Sequence, residues 1–415
     1  GDQTKWTWSG WVKRSDVTTG SQVFFNGYDD GSNETRMYFS SSETLNFTNY
    51  LSSSADGEYV TNRKFRDPGA WYHLVFTWDS DNVTAGDRIR FYVNGVEETS
   101  FSTENNPTSG SQSIINKDEP QYLGKSGSGQ YFDGLMAHVH FCDGQAYAAS
   151  DFGETDATSG IWVAKPSPSV TYGTNGFFLK FQDAAAFGDD SSGNGNDFTV
   201  SGTMTQTKDT PDNNFATWNS LYMPTANQPT FSNGNTTVLT QNAASSYIGG
   251  FSTLGVDGGK WYAEFKAVTT NNYPIVGITQ SPTKFVYDMN WIGNTADSYG
   301  YLYNGNTVNG GVANVGWGAG YAAGDVVMVA LDLVNNKIYF GTNGTWADSG
   351  DPTSGATGTG AAYTVTATSV AVANGEGVYY FACSDQGTGA DTWNANFGNG
   401  YFGTTAVTSA EADGA

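Results

Sequence analysis

Two Asn-Gly dipeptides, Asn94-Gly95 and Asn343-Gly344, each stand between short runs of strand-forming residues. A two-residue hairpin turn needs positive φ at both central positions, and Asn followed by Gly meets that need at least cost. Each dipeptide therefore fixes an antiparallel hairpin. Arg88-Ile89-Arg90-Phe91-Tyr92-Val93 precedes the first and Val96-Glu97-Glu98 follows it, while Lys337-Ile338-Tyr339-Phe340 leads into the second. Upstream of each hairpin lies a run that is apolar at odd and even positions alike, Trp71 to Trp78 and Val326 to Leu333. Such a run suits a central strand covered on both faces. Each carries an Asp at its end, Asp79 and Asp332. The same local order thus occurs twice, and it predicts an all-β chain of two antiparallel β-sandwich (jelly-roll) domains in tandem.

Other segments agree. Trp6, Trp8 and Val12 alternate with Thr7, Ser9 and Lys13, a period of two. Val23 to Phe25, Met37 to Phe39, Leu135 to Phe141, Phe177 to Phe181, Lys260 to Phe265, Ile275 to Ile278, Gly377 to Cys383 and Trp393 to Phe397 complete the strands, and no amphipathic helix stands out. With 12 Trp, 24 Tyr and 25 Phe, the chain can fill its cores with rings despite a modest hydrophobic fraction. From about Asp183 to Asn242 the pattern fades into Gly, Asn, Asp, Pro and Thr, and Gly188 to Asp197 is pure turn chemistry. The expected division is a first sandwich at 1–182, a surface linker at 183–240, a second sandwich at 241–405 and a tail at 406–415.

The net charge of −23 repels phosphate backbones, so nucleic acid is not an expected partner. No apolar run is long enough for membrane insertion, and no signal peptide is evident. The start at Gly1, without Met, reads as a fragment or a processed chain. Cys142 and Cys383 fall in different expected domains, so no disulfide is expected, and no Cys/His spacing suits zinc.

Three segments, Trp6-Thr7-Trp8-Ser9-Gly10-Trp11-Val12, Trp71-Tyr72-His73-Leu74-Val75 and Phe91-Tyr92-Val93-Asn94-Gly95, resemble laminin-G-like, concanavalin-A-type lectin domains. The strand such domains usually have before the Trp6 segment is absent. Gly259-Lys260-Trp261-Tyr262-Ala263-Glu264-Phe265, Gly324-Asp325 through Asp332, and Asn396-Phe397-Gly398 resemble a SPRY domain, with Met328 where the family has a small residue and Gly341-Thr342 where it has a basic step. The segments between, Asp143 to Ala146, Asp151 to Asp156, Tyr172 to Phe177 and Asp190 to Asp197, resemble those linking these two modules in virion proteins of marine bacteriophages. This last resemblance implies a tail fibre or receptor-binding protein on the virion surface. Its partners would be a host cell-surface glycan or protein and other virion proteins, and homotrimers are common among fibres. A head fibre or capsid decoration protein is the alternative.

Glycan hydrolysis needs two carboxylates across the scissile bond. Glucanases of this sandwich type carry them as E-x-D-x-x-E on one strand. Glu154-Thr155-Asp156 comes nearest, but Ala157, Thr158 and Ser159 follow where a third acid is required, so no catalytic set is expected. His138 and His140 share one strand face, opposite Leu135, Ala137, Val139 and Phe141, and read as solvent-facing spacers; His73 reads as a satisfied core histidine. Asp29, Asp30 and Asn33, and Asp79 and Asp81, offer oxygen ligands of the kind calcium takes, and Asx turns account for the same residues. No other cofactor is expected. Glycan binding needs aromatic platforms beside amides and carboxylates. Tyr287, Asp288, Asn290, Trp291, Tyr301, Tyr303, Trp317 and Tyr321 supply that mixture in the second domain, although its core also needs rings.

Overall fold

The computed structural model describes residues 1–17, 20–221, 228–240, 249–271, 273–287, 290–372, 375–387 and 389–407. The chain divides into two compact units. The first comprises Gly1–Gln206 and Thr210–Asn214, the second Thr207–Asp209 and Phe215–Ala415.

The first unit is a sandwich of two antiparallel six-stranded sheets. One runs in the order Phe177–Leu179, Gly134–Asp143, Lys5–Arg14, Trp71–Asp79, Ile89–Val93, Val96–Glu98. The other runs Gln121–Leu123, Gln22–Asp30, Asn33–Phe39, Thr44–Leu51, Ser54–Lys64, Phe101–Asn105. The core between them is aromatic: Trp6, Trp8, Phe24, Phe47, Phe76, Trp78 and Phe91 are all within 1% of full burial. Phe76 and Phe91 meet at 4.4 Å and Trp6 stacks on Trp78 at 6.3 Å. Tilted and offset ring pairs such as these add to the burial energy.

The Trp71–Asp79 strand is covered on both faces, as its sequence requires. Leu74, Phe76 and Trp78 enter the main core. Val75 packs on the other face with Tyr92, Cys142, Ala149 and Phe152, beneath the 144–172 segment. That covering segment explains the first Asn-Gly turn more fully. Asn94 and Gly95 have φ of 49° and 81°, and Val93 pairs with Val96. A Cβ on Gly95 would also lie 2.5 Å from the Trp162 ring, so both backbone conformation and packing demand glycine there.

One expectation fails at a bulge. Between Ser9 and Trp11 the pairing with Gly134–Asp143 slips by one residue. His138, at φ 47°, takes up the extra position. A bulge inverts the alternation beyond it. Val139 and Phe141 therefore face the core, while before the bulge Met136, not Leu135 or Ala137, packs against it. Nor is His140 a solvent-facing spacer. It is 2% exposed, stacked on Phe178 at 3.9 Å, and its Nδ1 is bonded to the Tyr172 hydroxyl at 3.0 Å.

The second unit packs an eight-stranded sheet on a six-stranded one. The larger runs Thr230–Ser232, Thr237–Leu239, Thr392–Asn396, Lys260–Ala267, Val326–Asp332, Lys337–Thr342, Thr345–Trp346, with Tyr363–Thr364 also paired to Lys337–Thr342. The smaller runs Gly250–Phe251, Tyr380–Ser384, Ile275–Thr279, Ser298–Leu302, Thr307–Asn309, Val312–Asn314. Phe265, Val329, Leu331, Phe340 and Trp393 of the first sheet meet Val276, Ile278, Tyr301, Phe381 and Cys383 of the second in one core. Asn343-Gly344 closes its hairpin with Thr342 paired to Thr345. Cys142 and Cys383 are free, buried and in separate units.

The 183–240 stretch is not a surface linker. Its first part belongs to the first unit, where Asp190 bridges to Leu179 and Phe198 packs edge-on against Phe177 at 4.8 Å. Its last part supplies two strands to the large sheet of the second unit, and Trp218 is fully buried between Phe265 and Phe397 at 5.7 and 5.4 Å. Truncating such a ring leaves a cavity as well as losing transfer energy. Trp218→Ala is expected to destabilise the second unit by about 3–5 kcal/mol in a urea melt. Trp218→Phe is expected to cost much less, because the indole N–H has no hydrogen-bond partner to lose among the described residues.

Candidate functional site

The residues expected to form a ligand platform in the second unit do not converge. Tyr301 is fully buried and donates its hydroxyl to the Ala319 carbonyl. Tyr321 is 5% exposed and donates to the Pro274 carbonyl at 2.6 Å. Trp317 packs edge-on against Tyr301 at 5.8 Å, and Tyr303 against Tyr273 at 5.3 Å, at the margin of the same core. These rings fill the sandwich. Asn290 and Trp291 border a hollow of about 10 Å³ with Ser281 and Lys284, room for one water molecule. Tyr287 ends the short helix Pro282–Tyr287, its side chain outside the described atoms, and Asp288 lies outside the described residues.

The oxygen-rich loops are also engaged internally. Asp29 pairs with Lys117. Asp30 accepts from the Ser32 amide at 2.7 Å and from Asn33 Nδ2 at 3.1 Å, while Asn33 Oδ1 accepts from the Ser52 amide at 2.9 Å. Asp79 pairs with Lys5 at 3.2 Å, and Asp81 accepts from the Thr4 hydroxyl at 2.9 Å. Among the described residues no three His, Cys, Asp or Glu side chains gather closely enough to hold a metal ion. Asp30 closes an Asx turn, and the Ser32 amide holds it below the usual carboxylate range. Glu154 is exposed, and Asp156 is spent on the amides of Thr158 and Ser159 and the Ser159 hydroxyl. His73 is 1% exposed. Trp162 Nε1 donates to its Nδ1 at 3.0 Å, so the proton sits on Nε2 and points to the Ser9 hydroxyl at 2.9 Å. Burial and the nearby His138 push its pKa down to about 3.

A cleft lies in the first unit beside edge strands of the two sheets, Phe177–Leu179 and Gln121–Leu123. It encloses about 250 Å³. At its base lie the core rings Phe25, Phe141 and Phe177, each at most 4% exposed, and Phe198 stands half-buried at the side. Its walls are polar: Asn116, Lys117 and Gln121 on one side, Asn175, Asn196 and Asp197 on the other. An apolar base with a few convergent polar groups is the usual design of a small-ligand site.

Two carboxylates build that polar wall. Asp143 Oδ1 accepts from Asn116 Nδ2 at 2.6 Å and from the Asp2 amide at 2.8 Å, and its Oδ2 accepts from the Asn175 amide at 3.1 Å. Asp190 Oδ1 accepts from the amides of Phe178 and Ser192, both at 2.8 Å; Oδ2 accepts from the Ser192 hydroxyl at 2.7 Å and the Asn196 amide at 3.0 Å. Burial opposes the ionised form of each, but the hydrogen bonds outweigh it and both pKa values fall below the usual carboxylate range. Asn196 Nδ2 then reaches the carbonyls of Thr174 and Gly176 at 3.0 and 2.9 Å, tying its loop to the Tyr172–Phe177 segment.

None of these cleft residues stood out as a ligand contact in the sequence. The one available signal was that Tyr172 to Phe177 and Asp190 to Asp197, both singled out for their resemblance to virion linking segments, are the two stretches that form the far wall.

No curated protein matches the chain. Among solved structures, the SPRY domain of human HERC1 is similar at 18% identity over 39% of this chain and 88% of that one, with a TM-score of 0.29. Among the described residues no helix is long and apolar enough to cross a membrane. Residues 2–150, which contribute Phe25, Asn116, Lys117, Gln121 and Phe141 to the cleft but not its far wall, match the family model of the Concanavalin A-like lectin/glucanases superfamily.

Proposed function

We propose that the protein is a non-catalytic attachment protein that holds a sugar residue of a cell-surface glycan in the cleft of its first unit. The observation that carries this reading is the cleft itself, where the half-buried Phe198 stands beside Asn175, Asn196 and Asp197. A sugar ring presents an apolar C–H face to such a ring and hydroxyls to such walls. The match of residues 2–150 to a lectin-type family model supports it. No paired carboxylates face the cleft in the manner glycoside hydrolysis requires, since Asp143 and Asp190 are consumed in holding its wall. The resemblance of the wall segments to virion linking segments extends the reading to a phage tail fibre or receptor-binding protein acting on a bacterial host.

Two experiments test this. On a panel of immobilised bacterial glycans, the wild-type protein is expected to retain at least one, and Phe198→Ala is expected to weaken that binding about fivefold, equivalent to about 1 kcal/mol. Antibodies to the chain are expected to label the distal end of the tail on intact virions, and the purified protein to compete with adsorption. A protein that neither binds host cells nor competes is no attachment protein, and label on the capsid would instead favour a decoration role.

A further inference from the structure

The side-chain oxygens that the cleft leaves free are acceptors only, and the hydrogen bonds around them fix which oxygens those are. The Asp143 carboxylate can only accept, so Asn116 must turn its Nδ2 toward it. That leaves Asn116 Oδ1 to accept from Asn175 Nδ2 at 3.0 Å, which orients Asn175 in turn. Asn196 is oriented by the two carbonyls its Nδ2 serves. Gln121 Nε2 is likewise spent on carbonyls, those of Ile114 and Glu119 at 3.1 and 3.0 Å. Asn175 Oδ1, Asn196 Oδ1 and Asp197 Oδ2 remain without a donor among the described residues. The donors left among the described residues are the second N–H of Asn175 and those of Lys117, whose charge is paired with Asp29, with Glu119 at 3.8 Å, so the local charge stays negative.

From this we infer that the cleft selects an uncharged, hydroxyl-rich sugar ring and rejects uronic acids and other anionic sugars. The inference rests on the glycan-binding reading and narrows it. A hydroxyl can donate to any of the three free oxygens, whereas a ligand carboxylate cannot, and it would meet the Asp197 charge. Repulsion between like charges a few ångströms apart at a partly desolvated site corresponds to about tenfold or more in affinity.

The test is titration of the full chain, ¹⁵N-labelled, with methyl α-D-glucoside, methyl α-D-galactoside, methyl α-D-mannoside and D-galacturonate. The side-chain amides of Asn175 and Asn196 report occupancy of the cleft. At least one neutral glycoside is expected to shift them, with galacturonate at least about tenfold weaker. Asp197→Asn keeps the Oδ1 that accepts from the Asp190 amide at 2.8 Å. It is expected to narrow the gap about fivefold by improving galacturonate binding, with little change for the neutral ligand. If galacturonate shifts the two amides as strongly as any neutral glycoside, the inference is wrong while glycan binding stands. If no sugar of either kind shifts them, both fail.

Discussion

Lowering the pH from 7.5 to 5 will destabilise the first unit by at least about 2 kcal/mol. The cause is His73, fully enclosed as a neutral ring between the Trp162 indole and the Ser9 hydroxyl, with Trp11 stacked on it at 5.0 Å. In the unfolded chain it titrates near its ordinary 6.5, whereas in the fold burial lowers this to about 3. Between those values the unfolded state binds the extra proton, so stability is full above 6.5 and drains away as pH falls towards 3. Carried to pH 3, the loss from this one ring reaches about 4 kcal/mol. His140 acts in the same direction, because burial, then the charges of His138 and His73, hold it well below its ordinary value. Hydrogen exchange of peptides from 134–143 and 71–79, corrected for intrinsic rates, will report the loss. Equal protection at pH 7.5 and 5 would rule the explanation out.

The second unit responds to pH in the opposite sense. Asp385 is fully buried, and its Oδ1 has no hydrogen-bond partner among the described residues. Its Oδ2 lies 2.6 Å from the Thr240 hydroxyl, which also lies 3.1 Å from the Asp391 carbonyl and accepts from the Asp391 amide at 2.8 Å. Thr240 has one proton for two acceptors. The geometry closes if Asp385 is a neutral acid that donates to Thr240, which then donates to the Asp391 carbonyl. Burial pushes the Asp385 pKa up to about 8, and the nearby Asp391 charge adds to the shift. A raised folded pKa means that the stability is complete below 3.8 and declines as pH rises through 8. The deficit is about 4 kcal/mol at pH 7 and approaches 6 kcal/mol above pH 9. Asp385→Asn supplies the same donor to Thr240 without the charge. It is therefore expected to stabilise the second unit by about 4 kcal/mol at pH 7 and to have little effect at pH 4. A variant no more stable than wild type in urea at pH 7 would show that Asp385 is ionised in the fold.

What could be read from the sequence was what depends on neighbours along the chain. The Asn-Gly turns, the alternation of Trp6 and Trp8 and the doubly covered Trp71 strand are local, and each forms as its residues require. The bulge at His138 was hidden because it arises from the pairing of two strands more than a hundred residues apart. Trp218 was hidden for a similar reason: its surroundings are Pro, Asn and Thr, and only pairing of the downstream Thr237–Leu239 strand with Thr392–Asn396 draws that region into a core. Tyr301 and Tyr321, taken for part of a platform, turn out to be core rings because a ring beside a turn looks the same whether it points inward or outward. The cleft was hardest to foresee, since its parts come from near residues 25, 116–121, 141, 175–177 and 196–198.

The far wall of the cleft is two short stretches fastened to the sandwich by Asp143 and Asp190, and neither fastening uses the free side-chain oxygens of Asn175, Asn196 and Asp197. On the proposed glycan-binding reading, recognition and scaffold are thus written in separable parts of the chain. The tips carrying Asn175 and Asp197 can be exchanged like a cassette while both clasps and both sheets stay as they are, so a lineage under pressure to change its target could do so through a few residues at little cost to folding.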